Sequence, residues 1–74
     1  DKEIDSLIDV IEKHGQPGKG GRACITFGEL FNIYADISDS LVGILMRSKK
    51  RSRLTFQGDM LFQGVHDGVV IQIL

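Results

Sequence analysis

The chain has 74 residues, which is enough for one domain with a small hydrophobic core but not for two. Apolar residues make up 42% of it and charged residues 26%, a balance typical of folded globular domains and not of disordered segments. Nine basic and ten acidic residues give a net charge of −1, which excludes a uniformly basic nucleic-acid binder while allowing a local basic patch.

The first segment has the period of a helix. We expect it to end near His14, with Gly15 as a left-handed residue after it, because Pro17 cannot continue a helix. Residues 15–21 contain four glycines and one proline, which predicts a loop inside a single domain. The apolar residues of the helix recur every three or four positions and form one stripe, which is made of Ile4, Leu7, Ile8 and Ile11.

A short strand and a second helix follow. Residues 23–25 have the composition of a short strand. Thr26 and Glu29 have the spacing of a capping box, so the second helix should begin at Phe27 and end near Asp36. Its apolar stripe comprises Phe27, Leu30, Phe31 and Tyr34.

A third helix is predicted after a brief turn, and Ser38 or Asp39 can cap its start. Gly43 lies inside this helix, where glycine costs about 1 kcal/mol relative to alanine. We therefore expect another element, the first or second helix, to pack closely over the bare Cα of Gly43. The apolar side of the helix comprises Leu41, Val42, Leu45 and Met46.

The chain changes period after Leu54. From there we expect a strand over residues 54–56, a turn or bulge over 57–59, extended backbone over 60–63, a turn over 65–68 and an alternating strand over 69–74. The whole order predicts an α+β, winged-helix-like fold: three helices with a small antiparallel β-sheet and a C-terminal hairpin. The expected core comprises Ile8, Ile11, Phe27, Phe31, Leu45 and Ile71.

No motif in the sequence predicts catalysis or a cofactor. The stretch from Gly18 to Ala23 fits G-x-G-x-x-A, but it follows a helix instead of a strand, and the chain is too short for a βαβ sheet. His66 and Asp67 are adjacent on a turn, which rarely brings two side chains face to face for catalysis. Cys24 is the only cysteine, which argues against a structural zinc site, and no apolar run approaches the ~20 residues that cross a bilayer. We predict no enzyme, cofactor, metal, small-molecule substrate or membrane partner.

A cluster of basic residues is the most informative feature of the chain. Like charges repel, so their density favours a site for an anionic partner, with a solvated helix end as the alternative. Helical spacing places Arg47, Lys50 and Arg51 on one face, and Lys49 and Arg53 on a neighbouring face if the helix reaches that far. Five of the nine basic residues form this cluster, with no acid among them: Arg47, Lys49, Lys50, Arg51 and Arg53.

A winged-helix fold raises the question of a nucleic-acid partner. Proteins of that kind read base edges with the N-terminal part of the third helix. Here residues 39–45 contain no Arg, Lys, Asn or Gln, and Asp39 would repel phosphate. These residues argue against sequence-specific DNA binding, and a winged-helix nucleic-acid-binding module is kept as the alternative function.

A specific series of motifs begins at Thr26. It consists of FGELF (27–31), ISD (37–39), VGILMR (42–47), FQGDMLFQG (56–64), Asp67 and VVI (69–71). Together these motifs resemble the Costars domain family over essentially all of residues 1–74. The resemblance implies one non-enzymatic, actin-filament-binding domain with a winged-helix-like fold.

The resemblance also implies a parent protein that stabilises actin filaments, promotes Rho signalling and favours serum-response-factor transcription. It would be cytoplasmic and belong to the actin cytoskeleton, in muscle to the sarcomere. Because the chain begins at Asp1 rather than Met, we expect a fragment or a processed product, and the resemblance implies the C-terminal part of a longer protein. We assign the five basic residues as the filament contact, with the hairpin around Gln63 and His66 as the next surface. A protein-interaction module that does not touch actin is a third hypothesis.

Overall fold

The structure is a computed structural model that describes residues 1–74, and its elements follow the predicted order with one added strand. The four strands form a single antiparallel sheet in the order β1-β2-β4-β3. The predicted α+β class is thereby confirmed, while the winged-helix label stays a prediction. None of the three helices has the length and apolar composition that crossing a bilayer requires. The elements are α1 (Lys2–His14), β1 (Gln16–Pro17), β2 (Ala23–Thr26), α2 (Phe27–Tyr34), α3 (Leu41–Lys50), β3 (Leu54–Thr55) and β4 (Val70–Ile73).

Helix α1 begins and ends for identifiable reasons. The carboxylate of Asp1 accepts hydrogen bonds from the amides of Glu3 and Ile4, at 2.9 and 3.4 Å, and so caps the first turn. The predicted left-handed conformation of Gly15 is wrong, because its backbone is extended (φ −80°, ψ −175°). A β-carbon on Gly15 would lie 2.5 Å from the carbonyl oxygen of Cys24. Glycine is needed there for the close approach of β2.

The glycine-rich stretch is more ordered than the loop predicted for it. Gln16 and Pro17 pair with β2, and the amide of Gly18 donates to the carbonyl of Arg22 at 2.7 Å. The side chain of Gln72 in β4 accepts from the amide of Lys19 at 2.9 Å and donates to the carbonyl of Arg22 at 3.1 Å. These contacts fix the stretch against the sheet. The stretch lies inside one domain as predicted, but strand β1 was not predicted because its pairing is set by backbone groups.

The starts of α2 and α3 differ in how well they were predicted. Thr26 Oγ1 accepts from the amide of Glu29 at 3.4 Å, which confirms the predicted cap of α2. Helix α3 begins after Ser40, so neither Ser38 nor Asp39 is its cap residue. The hydroxyl of Ser38 instead accepts from the amide of Ser40 at 3.1 Å, a local turn bond that competes with a capping role.

All three helices and the strands β2, β3 and β4 contribute to one core of 16 buried apolar residues. Five of the six predicted core residues are buried, and Phe31 is the exception. Its ring is half-buried and meets Phe27 edge to face, with ring centroids 5.8 Å apart. Phe31 lines an open groove between the end of α2 and the start of α3, which leaves its side chain partly exposed. Helical period alone does not distinguish this rim position from the core.

The expected close packing over Gly43 is also wrong. Gly43 is exposed, and the nearest atom to a β-carbon built there would be the Arg47 guanidinium at 4.0 Å. The close approach occurs at Gly28 instead, where a β-carbon would lie 2.9 Å from Cβ of Asp67. Helix α2 therefore starts in direct backbone contact with the segment between β3 and β4.

We call residues 56–69, which join β3 to β4, the β3–β4 loop. The two strands pair antiparallel, with Leu54 opposite Ile73, so the predicted C-terminal pairing is present but is closed by this long loop. No strand forms over residues 60–63, where we expected extended backbone, and a turn begins at Gln63. Burial of Phe56 and Leu61 draws the loop onto the core, which prevents a regular hairpin.

Candidate functional site

The basic cluster lies where α3 ends. Ser52 has a left-handed backbone (φ 57°), its amide donates to the carbonyl of Lys49, and the amide of Arg53 donates to the carbonyl of Ser48, both at 3.0 Å. This is a Schellman motif, which closes a helix by reversing the chain. The helix therefore stops before Arg53, and Lys49 and Arg53 do not share a helix face.

Two of the five cations are paired with acids of α1. The Arg47 guanidinium lies 2.8 Å from the Glu3 carboxylate and 3.4 Å from that of Asp1. Arg53 lies 3.0 Å from the Asp5 carboxylate. Exposed pairs of this kind stabilise a fold by at most about 1 kcal/mol each. Their main effect is to compensate the charges of Arg47 and Arg53 within the molecule.

A third cation, Lys49, holds the β3–β4 loop. Its ammonium group donates to the carbonyl oxygens of Phe56 and Gly58, both at 2.7 Å. It also lies 4.4 Å from the centre of the Phe56 ring, within range of a cation–π interaction. Lys49 is therefore a structural residue that ties the end of α3 to the start of the loop.

Lys50 and Arg51 are the members of the cluster that remain available. Both are exposed, and neither forms an ion pair within the chain. The predicted cluster of five thus separates by geometry into three internally bonded cations and two unpaired ones, which we call the free pair (Lys50 and Arg51). Sequence spacing did not reveal this division, because it depends on how α1 and the β3–β4 loop pack against α3.

The β3–β4 loop presents the second candidate surface. Met60, Phe62 and Val65 are 49%, 53% and 74% exposed, respectively. The residues proposed for the next surface lie here, Gln63 exposed in the turn and His66 half-buried beside it. The exposure of these three apolar residues was not predicted from the sequence, although the loop carries the motif FQGDMLFQG (56–64).

The first turns of α3 offer no nucleic-acid site. Leu41, Ile44 and Leu45 are buried in the core, and the exposed position between them is Gly43. A groove-reading helix needs polar side chains at its exposed N-terminal positions, and this helix has none. The structure thus gives no support to the alternative function.

Comparison with known proteins identifies the class. The whole chain, residues 1–74, matches the model of the family described as Costars. The chain belongs to the Costars family, and the resemblance inferred from its motifs is confirmed.

Individual relatives differ in length. The actin-binding Rho-activating protein of Sus scrofa is 44% identical over 73 residues, which cover 99% of this chain and 19% of that protein. The Costars family protein ABRACL of Xenopus tropicalis is 41% identical over 76 residues, covering 100% of this chain and 94% of that protein. The chain therefore spans about a fifth of the first relative and nearly all of the second.

The fold agrees with that of a solved relative. The solution structure of human HSPC280 protein matches 99% of this chain and 88% of its own, with a TM-score of 0.89 at 36% sequence identity. The arrangement of three helices and a small sheet is thus shared with a protein of similar sequence.

Proposed function

We propose that this chain is a non-enzymatic module that binds actin filaments, with the free pair as its direct electrostatic contact. The observation that carries the proposal is that Lys50 and Arg51 are exposed and unpaired while the neighbouring cations are bonded internally. Membership of the Costars family and the name of the relative from Sus scrofa supply the identity of the partner.

The physical argument is charge complementarity with an acidic filament surface. Two unpaired cations at a helix end create a local positive potential on a chain whose net charge is −1. Such charges mainly accelerate encounter, and salt screens them over a Debye length of about 8 Å at physiological ionic strength. Binding should therefore weaken as salt is added.

Co-sedimentation with actin filaments tests the proposal. The double variant Lys50→Glu with Arg51→Glu should bind weakly, keep its melting temperature and show a shallower salt dependence. A matched control, Lys2→Glu with Lys13→Glu, makes the same charge change on exposed positions of α1 and should bind normally. Lys49 is left unchanged because its substitution would release the loop. Normal binding by the folded free-pair variant would contradict the proposed contact.

The same assay separates the remaining hypotheses. A protein-interaction module that does not touch actin would stay in the supernatant in the wild-type form. So would a nucleic-acid-binding module, which would instead retain labelled duplex DNA in a gel-shift measurement. Sedimentation of the wild-type chain with filaments is the result that the proposal requires.

We further propose that the parent protein promotes Rho signalling and serum-response-factor transcription at the actin cytoskeleton, including the sarcomere of muscle. The name of the relative from Sus scrofa supports the link to Rho, and the resemblance of the motifs supports the rest. A serum-response reporter in cells that express the parent protein tests this. Reporter activity should rise with the wild-type protein and stay at background with the free-pair variant.

A further inference from the structure

The β3–β4 loop combines buried anchors with exposed apolar side chains. Leu61 is 2% exposed, yet its neighbours Met60 and Phe62 are each about half exposed at 49% and 53%. Val65, at 74%, is the most exposed large apolar residue of the chain. Exposed apolar residues that occur singly need no explanation, but three within six residues of one loop mark a candidate interaction site.

Hydrogen bonds within the loop hold the backbone at Phe62, and the His66 ring lies beside the Phe62 ring. The amide of Phe62 donates to Nδ1 of His66 at 2.9 Å, and the two rings lie 5.8 Å apart. The amide of Gly64 donates to the Asp67 carboxylate at 2.8 Å, and the amide of Gly28 donates to the carbonyl of Asp67 at 2.9 Å. A loop whose backbone is already bonded in this way has less conformational entropy to lose when a partner covers it.

The β3–β4 loop begins beside the end of α3. Lys49, which directly precedes Lys50, bonds to Gly58 of the loop. Gly58, Met60 and His66 line one shallow cleft, and His66 in turn contacts Phe62. The start of the loop therefore lies against the end of α3 that carries the free pair, and the cleft that leads on toward Phe62 also contains the carboxylate of Asp59.

We infer that Phe62 and Met60 are the apolar anchors of the filament interface, and that they pack against an apolar surface of the filament next to the acidic surface that the free pair contacts. This inference rests on the proposed function and adds its short-range component. The cations attract and orient the partner. The Phe62 ring, once the partner covers it, supplies most of the affinity, as aromatic hot spots do in other interfaces. His66 is a positioning residue that acts through Phe62.

Affinity for actin filaments, measured by co-sedimentation over a range of salt concentrations, tests the inference. Phe62→Ala should lower the affinity at least about tenfold, as expected for a hot spot, while keeping the wild-type melting temperature and salt slope. Ile37→Ala is the matched control, because Ile37 is 55% exposed but lies between α2 and α3. It should bind like the wild type.

The positioning role is tested separately. His66→Ala removes the acceptor for the Phe62 amide and should weaken binding although Phe62 is present. His66→Asn offers an amide oxygen near the position of Nδ1 and should restore much of the affinity. Equal binding by His66→Ala and the wild type would contradict this role.

Three outcomes overturn the inference. If the wild type binds filaments and Phe62→Ala binds equally well, the anchor assignment fails and the proposed function stands. If the wild type does not bind filaments, the proposed function fails and the inference fails with it. If the wild type binds phosphatidylserine vesicles through Phe62 while filament binding is unaffected by Phe62→Ala, the patch serves a membrane instead.

Discussion

The backbone amide of Gly28 donates a hydrogen bond to the carbonyl oxygen of Asp67 at 2.9 Å, across a gap that has no room for a β-carbon on Gly28. Gly28→Ala should therefore destabilise the fold by about 1–3 kcal/mol through overpacking against the loop. Gly43→Ala should instead raise the free energy of unfolding by about 1 kcal/mol, since it adds helix propensity in open space. Urea unfolding of the two variants measures both signs. If the two substitutions changed the free energy of unfolding in the same direction by the same amount, the difference in packing between Gly28 and Gly43 would be contradicted.

Lys49 should contribute to stability and Lys50 should not. Lys49→Met removes the donor that holds Phe56 and Gly58, so we expect a loss of about 1–3 kcal/mol. Lys50→Met removes an exposed, unpaired charge and should change the free energy of unfolding by less than about 0.5 kcal/mol. Thermal unfolding compares the two variants. A Lys49 variant with the wild-type melting temperature would show that the loop holds without it.

The two phenylalanines of α2 should respond differently to truncation. Phe27 is 0% exposed, so Phe27→Ala should cost about 3–5 kcal/mol, a large share of the stability of a small domain. Phe31 is half-buried, so Phe31→Ala should cost less, about 1–2 kcal/mol, in line with its smaller buried area. Chemical denaturation gives both values. A Phe31 variant less stable than the Phe27 variant would contradict the assigned burial.

Tyr34 makes stability sensitive to high pH. Burial, followed by the negative charge of Glu3, raises the pKa of the Tyr34 phenol above its ordinary value of 10.0. The unfolded chain therefore releases this proton at lower pH than the folded chain does. Above pH 10 the folded state binds more protons, and the free energy of unfolding falls as the pH rises.

Tyr34→Phe removes this contribution. The variant should lose stability less steeply than the wild type above pH 10, and the two slopes should agree near neutral pH. Urea unfolding across this pH range measures the difference. Parallel curves throughout would show that the phenol titrates alike in the folded and unfolded chains.

The helices could be predicted because their signals are local. The stripe of α1 and the cap at Thr26 depend on residues three or four positions apart. Strand β1 could not be predicted, because its residues Gln16 and Pro17 show no apolar alternation. The strand is defined by the pairing of its backbone with that of β2, in which Gln16 lies opposite Cys24. Likewise, the position of Gly43 inside α3 marked it as unusual in the sequence. The close approach occurs at Gly28 instead, and it depends on Asp67, which is distant in the chain.

The candidate site shows the same difference between local features, which could be predicted, and long-range contacts, which could not. The positions of the cations were evident in the sequence, and so were the acids at the start of α1. Which cation meets which acid is set by the packing of α1 against α3, as Arg53 and Asp5 show. The apolar anchors were missed because the alternation of buried Leu61 with exposed Phe62 resembles an ordinary strand pattern.

The outer strands of the sheet also affect how copies of the chain behave toward one another. Both β1 and β3 are only two residues long, and Pro17 in β1 has no amide hydrogen to donate. Such short edges offer few unpaired backbone groups to another strand, which disfavours β-mediated aggregation. Copies of the chain that are brought close together are thus not expected to associate through the edges of this sheet.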